Sequence, residues 1–220
     1  MIVALLGDPV SASLSPVMQN AAFAARGLDW TYVALRVSAD ALEDALRGLV
    51  ALGFAGANVT TPHKLAVARL VGADVESVNT VVVRDGRLDA TSTDAAIVDG
   101  LEYSSAAILG EGGAAAAFAA ALPDARRFSR RGTWPPEAYG VDLVVNATSE
   151  REQVLVELGP GQTLVDLPYP ATATARAAEK RGAHVVDGLE VLVAQGAAAF
   201  ELWTGVSAPI DVMRAAVRSA

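Results

Sequence analysis

The sequence predicts an α/β fold in which short buried strands alternate with helices. Two observations carry this prediction. Short apolar runs recur along the chain, and each is followed by a glycine-, serine- or threonine-containing turn and then by a helical pattern, which is typical of strands covered by helices. In the second half, an apolar run at 106–109 leads into a glycine turn and an alanine-rich helix. The length fits one large domain or two small ones, and the second half indicates a doubly wound parallel sheet.

The composition argues against several kinds of site. The 220-residue chain has no cysteine and two histidines, so it offers no disulfide framework and no cluster of metal ligands. The net charge of −8 disfavours a basic nucleic-acid surface, and the apolar runs are too short to span a bilayer. We expect no metal, no nucleic acid and no membrane partner. The lack of cysteine suits the cytoplasm.

The first strand, residues 2–6, leads through a turn into a helix. Ser15 is placed to cap this helix and Pro16 to occupy its first position. Ser13 and Ser15 would then lie at the helix N-terminus, where free N–H groups and the helix dipole favour an anion. Capping needs one hydroxyl, so simple capping and an anion site both stay open.

The next strand and helix, at 30–37 and 39–52, lead through a tight turn to Asn58 at the end of a third strand. Thr61 is expected to cap the following helix, 62–70, with Pro62 at its first position.

Asn58, Thr60 and Lys64 would then lie at the carboxyl end of a strand, where ligands bind in open α/β sheets. Lys64 and Lys180 are the only lysines among 17 basic residues. Lys can release a proton near neutrality and Arg cannot, so a catalytic Lys64 stands beside the simpler interpretation of a solvated helix residue.

A strand at 77–83 and an Asp85-Gly86 hairpin turn follow. Asp94 then precedes an expected helix at 95–101. It is either an N-cap or a carboxylate that faces the same crevice as Lys64.

The second half carries a glycine motif in the context of a nucleotide site. Gly110, Gly112 and Gly113 follow the strand at 106–109 and precede a helix at 114–121, and a strand, glycine loop and helix in this order indicate dinucleotide binding. Arg130 and Arg131 end the next strand, where they either grip the 2′-phosphate of NADP or form a solvated basic cluster. Glu111 is unfavourable beside a pyrophosphate unless it points to solvent.

The rest of the chain continues the alternation. A turn-rich linker at 132–136 stands where a crossover helix is usual. Gln195 would be a polar group on an apolar helix stripe, which calls for a hydrogen-bond partner. The remaining expected elements are strands at 142–146, 163–166 and 184–186 and helices at 172–181, 189–203 and 209–218.

Eight motifs, in order, resemble those of the shikimate dehydrogenase family and together cover most of the chain. They lie at 7–16, 58–64, 77–80, 93–94, 110–114, 146–148, 166–170 and 187–205. The resemblance implies a two-domain enzyme that reduces 3-dehydroshikimate to shikimate with NADPH. This reaction is a step in the synthesis of chorismate, from which the aromatic amino acids are made. The resemblance further implies a substrate-binding α/β domain, 1–94 and 190–220, to which the C-terminal helices return, and a Rossmann-like cofactor domain, 95–189.

The resemblance also implies roles for single residues. Lys64 and Asp94 would form the catalytic pair, with Lys64 as proton donor and acceptor. The expected substrate-binding residues are Ser13, Ser15, Asn58, Thr60, Asn79, Tyr169 and Gln195. The expected cofactor-binding residues are Gly110, Gly112, Gly113, Ala114, Arg130, Arg131, Asn146, Thr148 and Gly188. The expected partners are a small-molecule substrate and, at most, a second copy of the chain.

Departures from the family pattern lie mainly on the cofactor side. One crossover helix is missing, and Glu150 stands where a glycine and methionine usually follow Asn146-Ala147-Thr148. Two alternatives therefore stay open: an NAD-preferring quinate/shikimate dehydrogenase, and a shikimate-binding protein that has lost hydride transfer.

Overall fold

The computed structural model describes residues 1–220, and its contacts divide the chain into two compact units. The first comprises residues 1–93 and 193–220, and the second comprises residues 94–192. The boundaries expected from the sequence lie one residue and three residues from these two divisions. The C-terminal helices belong to the first unit, as the expected fold class requires, and no helix of the chain has both the length and the apolarity to cross a membrane.

The first unit is built on a mixed five-stranded sheet in the order β2-β1-β3-β4-β5. The strands are β1 Ile2–Gly7, β2 Thr31–Arg36, β3 Gly56–Val59, β4 Thr80–Arg84 and β5 Arg87–Thr91. Strand β1 runs parallel to β2 and β3, whereas β4 runs antiparallel to β3 and β5. The predicted hairpin turn is present, since both Asp85 and Gly86 have positive φ, as a two-residue hairpin loop requires.

Helices cover this sheet with apolar side chains. They are α1 Ser15–Ala25, α2 Leu42–Ala51, α3 Lys64–Val71, the part of α6 (Gly188–Thr204) from residue 193, and α7 Ile210–Arg218. Leu42, Leu46 and Leu49 recur at helical spacing on α2 and are buried against the sheet. Phe23 of α1 stacks on Phe200 of α6 with ring centroids 5.4 Å apart. These contacts close the first core.

The second unit is a parallel five-stranded sheet in the order β10-β9-β8-β6-β7. Its elements are β6 Ala106–Leu109, α4 Gly113–Ala121, β7 Arg126–Phe128, β8 Leu143–Asn146, β9 Thr163–Asp166, α5 Ala173–Lys180 and β10 His184–Val186. Along β6, Ala107 and Leu109 face one apolar cluster while Ala106 and Ile108 face another. Both faces of the sheet are therefore covered, and the predicted doubly wound sheet is confirmed.

Two crossovers of this sheet contain no helix. One joins β7 to β8 through residues 129–142, where the sequence already indicated a linker. The other joins β8 to β9 through residues 147–162, which the sequence analysis did not single out. These segments contribute apolar side chains to the cluster that also contains Ala107 and Leu109. The side chains are those of Trp134, Ala138, Val156 and Leu158. The irregular segments thus supply the apolar cover that helices would otherwise give.

Several element ends differ from the sequence prediction. The helix after Ser38 begins as a 3-10 turn, Ala39–Ala41, and the strand expected at 77–83 begins at Thr80. The segment after Asp94 is a short 3-10 helix, Ala96–Gly100. Its N-cap is Ala95 without a side-chain hydrogen bond, so Asp94 does not cap it.

Candidate active site

The segment around Lys64 follows strand β3 but enters its helix later than expected. Thr61 is not an N-cap and Pro62 is not the first helical residue; α3 begins at Lys64, after His63. The His63 N–H donates to Thr60 O at 2.9 Å, so residues 60–63 form a turn, and the Thr61–Pro62 peptide is cis. The turn places half-buried Lys64 in the first turn of α3.

A buried amide network lies beside this turn. The Asn58 Nδ2 group donates to Asn79 O and to Thr80 Oγ1, both at 3.0 Å. Asn58 Oδ1 accepts from the Tyr32 hydroxyl at 2.9 Å. Burial raises the pKa of Tyr32, so its phenol stays protonated as a donor. Tyr32, Asn58 and Asn79 therefore form one continuous hydrogen-bonded chain.

Asn79 extends the same network to the C-terminal helix α6. Its Oδ1 accepts the Thr93 N–H at 2.7 Å, and its Nδ2 group donates to Gln195 Oε1 at 3.3 Å. The Thr93 hydroxyl donates to Gln195 O at 3.0 Å. Asn79 is 2% exposed, and its side-chain amide hydrogen-bonds both Thr93 and Gln195. Asn79 is therefore one of the hydrogen-bond partners that the sequence predicts for Gln195.

The start of α1 differs in detail from the predicted cap. Leu14 is the N-cap and makes no side-chain capping bond, while Ser15 is the first helical residue. The Ser15 N–H donates to Ser13 Oγ at 3.2 Å. The helix end therefore offers two hydroxyls and backbone N–H groups, which suit a carboxylate.

Asp94 and Tyr169 belong to the second unit. Asp94 is 7% exposed and follows directly after Thr93, whose position the Asn79 hydrogen bond fixes. Tyr169 is half-buried, and its carbonyl accepts from Arg151 Nη1 at 3.1 Å. The functional roles expected for both residues stay predictions.

The glycine loop sits between the ends of β6 and β8, where strand order reverses in the sheet. Gly110 has φ +119°, and a Cβ there would lie 2.8 Å from Ala147 O. Helix α4 begins at Gly113 without a side-chain cap, so its first N–H groups, including that of Ala114, are available to a pyrophosphate. With Gly112 open to solvent, these residues fit a dinucleotide.

A cleft of about 630 Å³ adjoins this loop and contains Arg130. Arg130 Nη2 donates to Glu150 Oε2 at 3.1 Å, and its Cζ lies 5.9 Å from the Trp134 ring centroid. Arg131 pairs with Glu111 at 3.1 Å. Glu111 is therefore paired with a positive charge, although it still lines the cleft.

Glu150 is itself held by the backbone. Its Oε1 accepts the N–H groups of Arg151, Glu152 and Gln153 at 3.0–3.2 Å. The N–H groups of Glu152 and Gln153, then that of Arg151 and the Arg130 guanidinium, hold the pKa of the Glu150 carboxyl below its usual range. The carboxylate is therefore fixed and charged.

Asn146 and Gly188 have structural partners within the second unit. Asn146 is fully buried, donates to Asp166 Oδ1 at 2.7 Å and accepts from the Thr148 hydroxyl at 2.8 Å. Its effect on a cofactor would pass through Thr148, which lines the cleft. A Cβ on Gly188 would lie 2.5 Å from Leu167 O, so close backbone packing requires glycine there.

Sequence reasoning missed three residues of these sites. Tyr32 and Trp134 were not singled out, and Glu150 was noted only as a departure. Tyr32 carried no local signal, since its contact with Asn58 depends on which strands lie next to one another in the sheet. Glu150 and Trp134 lie in two different helix-free crossovers, and their contacts with Arg130 form only when these crossovers fold against each other.

Two family models match this chain, one near each end. The family model for the shikimate dehydrogenase substrate binding domain matches residues 5–81, and the model for the shikimate 5′-dehydrogenase C-terminal domain matches residues 188–218. A shikimate dehydrogenase (NADP(+)) from Moorella thermoacetica is 39% identical, with 100% of this chain and 93% of the relative covered. One from Anaeromyxobacter is also 39% identical, with 97% and 94% covered.

Solved structures give the same result. The shikimate 5-dehydrogenase of Thermus thermophilus in complex with NADP(H) and shikimate matches with TM-score 0.86 and 32% identity, covering 100% of this chain and 99% of that one. The Moorella alignment runs over 274 positions, so 54 of them (274 − 220) have no counterpart in the 220-residue chain. With relatives this similar over its whole length, the chain belongs to the shikimate dehydrogenase family.

Proposed function

We propose that this chain catalyses the reversible, NADP-dependent reduction of 3-dehydroshikimate to shikimate. The observation that carries the proposal is the buried network through Tyr32, Asn58, Asn79 and Gln195, beside Lys64, in a chain of this family. Shikimate presents a carboxylate and several hydroxyls, so its site needs fixed donors and acceptors of the kind this network provides. We place the enzyme in the cytoplasm as a monomer or homodimer.

The chemistry assigns distinct tasks to the protein. Ser13 and Ser15, at the start of α1, bind the carboxylate, and Thr60, Asn79 and Gln195 bind ring oxygens, with Asn58 and Tyr169 shaping the pocket. NADPH, when bound, supplies the hydride. As charge develops on the carbonyl oxygen, Lys64 stabilises it and donates the proton, and Asp94 positions Lys64 and accepts from a neighbouring hydroxyl of the substrate.

The expected cofactor-binding residues contact different parts of the dinucleotide. Gly110, Gly112, Gly113 and Ala114 admit and bind the pyrophosphate, and Thr148 lines the cleft for the adenosine part. Arg130 and Arg131 grip the 2′-phosphate, which favours NADP over NAD. The carboxylates that pair with both arginines are the observation that keeps an NAD-preferring quinate/shikimate dehydrogenase as the second candidate. The helix-free crossovers are what motivates a shikimate-binding protein without hydride transfer.

Lys64→Ala tests the proposed proton donor. We expect turnover of shikimate with NADP to fall by about 10²–10⁴-fold, because the general acid and base is lost, while the shikimate dissociation constant changes far less. Steady-state kinetics and calorimetric titration of shikimate measure the two effects separately.

Lys180→Ala is the matched control, since it removes the only other lysine, which is exposed at the end of α5. It should leave turnover unchanged. Equal losses in both variants, or full activity in Lys64→Ala, would remove Lys64 from the mechanism.

A further inference from the structure

The predicted grip for the 2′-phosphate contains as many fixed negative charges as positive ones. Arg130 pairs with Glu150 and Arg131 pairs with Glu111, each at 3.1 Å. An incoming phosphate dianion therefore meets two arginines that already have carboxylate partners. A site that binds NADP in this way must exchange or share those partners.

The two pairs differ in exposure. In the pair of Arg131 with Glu111, the side chains are 88% and 42% exposed, so solvent screens their interaction strongly. In the pair of Arg130 with Glu150, the glutamate side chain is only 22% exposed. Its carboxylate is also anchored, because Oε1 accepts three successive backbone N–H groups. Glu150 cannot swing away easily when a ligand approaches Arg130.

Arg130 is constrained from two sides and still has donors to offer. Nη2 is bound to Glu150, and the guanidinium lies over the Trp134 ring. Arg130, Glu150 and Trp134 all line the cleft beside the glycine loop. A phosphate at Arg130 would thus sit within a few ångströms of a fixed carboxylate, and the two anions repel each other.

Resting on the proposed function, we propose that Glu150 determines cofactor specificity by holding Arg130 in competition with the 2′-phosphate of NADP. NAD, which carries a hydroxyl at this position, does not compete for Arg130. Glu150 thereby lowers the preference for NADP over NAD that Arg130 and Arg131 would otherwise produce.

Glu150→Gln tests the competition by binding alone. The amide keeps an oxygen for the three backbone N–H groups and removes the charge beside Arg130. We expect the NADP dissociation constant to fall by about two- to fivefold, the range of a partly exposed ion pair, and the NAD dissociation constant to stay unchanged. Calorimetric titration of each cofactor, with no substrate present, measures both.

Glu157→Gln is the matched control, because it makes the same change in net charge on the same crossover, at a side chain that is 72% exposed and does not line the cleft. It should affect NADP and NAD equally and little. A second variant, Glu150→Asp, keeps the charge but draws the carboxylate back from Arg130 by one methylene. It should tighten NADP to an intermediate degree, and it tests the proposal even if Glu150→Gln does not fold.

A double-mutant cycle tests whether the effect of Glu150 on NADP binding depends on Arg130. In an Arg130→Ala background, Glu150→Gln should change NADP binding less than it does in the parent protein. Weaker NADP binding in Glu150→Gln, or an equal effect in both backgrounds, would overturn the competition. Failure of the parent protein to bind NADP would instead contradict the proposed function, so the two failures are distinguishable.

Discussion

Tyr32 is the residue on which the substrate-side network rests. Its hydroxyl donates to Asn58, so it joins strand β2 to the end of strand β3. The motifs predicted Asn58, Thr60 and Asn79, because these polar residues recur at strand ends. They could not predict Tyr32, because its contact requires the pairing order β2-β1-β3, which is set by tertiary packing.

Tyr32→Phe should change how stability depends on alkaline pH. Burial raises the pKa of Tyr32 above its ordinary value of 10.0, so as pH rises the unfolded chain loses this proton first. The stabilisation is complete below about pH 10 and declines above it. Urea unfolding of the parent protein should show that decline, and Tyr32→Phe should reduce it, while costing about 1–2 kcal/mol at neutral pH for the lost donor to Asn58. An identical alkaline decline in both proteins would contradict this account.

At the scale of elements, the second sheet is tied to α5 by a buried carboxylate. Asp166, 1% exposed at the end of β9, accepts from the Thr172 N–H and hydroxyl and from Asn146. Thr172 also caps α5 by accepting the Ala175 N–H. The sequence predicted this helix closely because its cap is local. It misplaced the start of α3 because the turn at 60–63 postpones the helix beyond Pro62.

Thr172→Ala should destabilise the protein by about 1–3 kcal/mol, since it removes the helix cap and one donor to a buried carboxylate. Thr172→Ser, which keeps the hydroxyl, should cost less than half as much. Urea unfolding with far-ultraviolet circular dichroism measures both free energies. Equal costs would show that the lost methyl group, not the hydroxyl, causes the effect.

At the scale of the whole molecule, the chain keeps two α/β units while dispensing with helices in two crossovers. The sequence predicted the fold class, the glycine loop and one of the helix-free crossovers, because these depend on alternation and on glycine spacing. The crossover at 147–162 could not be predicted, since its order comes from apolar side chains that pack only once the sheet exists. The account holds that this reduced second unit still serves NADP-dependent chemistry.

The formation of NADPH from shikimate and NADP by the purified chain, followed by near-ultraviolet absorbance, tests that claim most directly. Parallel reactions with NAD and with quinate rank the cofactors and substrates. The account predicts turnover that depends on shikimate, with kcat/KM at least about tenfold higher for NADP than for NAD, since an arginine bound to phosphate contributes a charge-assisted hydrogen bond. No NADPH formation by a protein that still binds shikimate, or a preference for NAD and quinate, would contradict it.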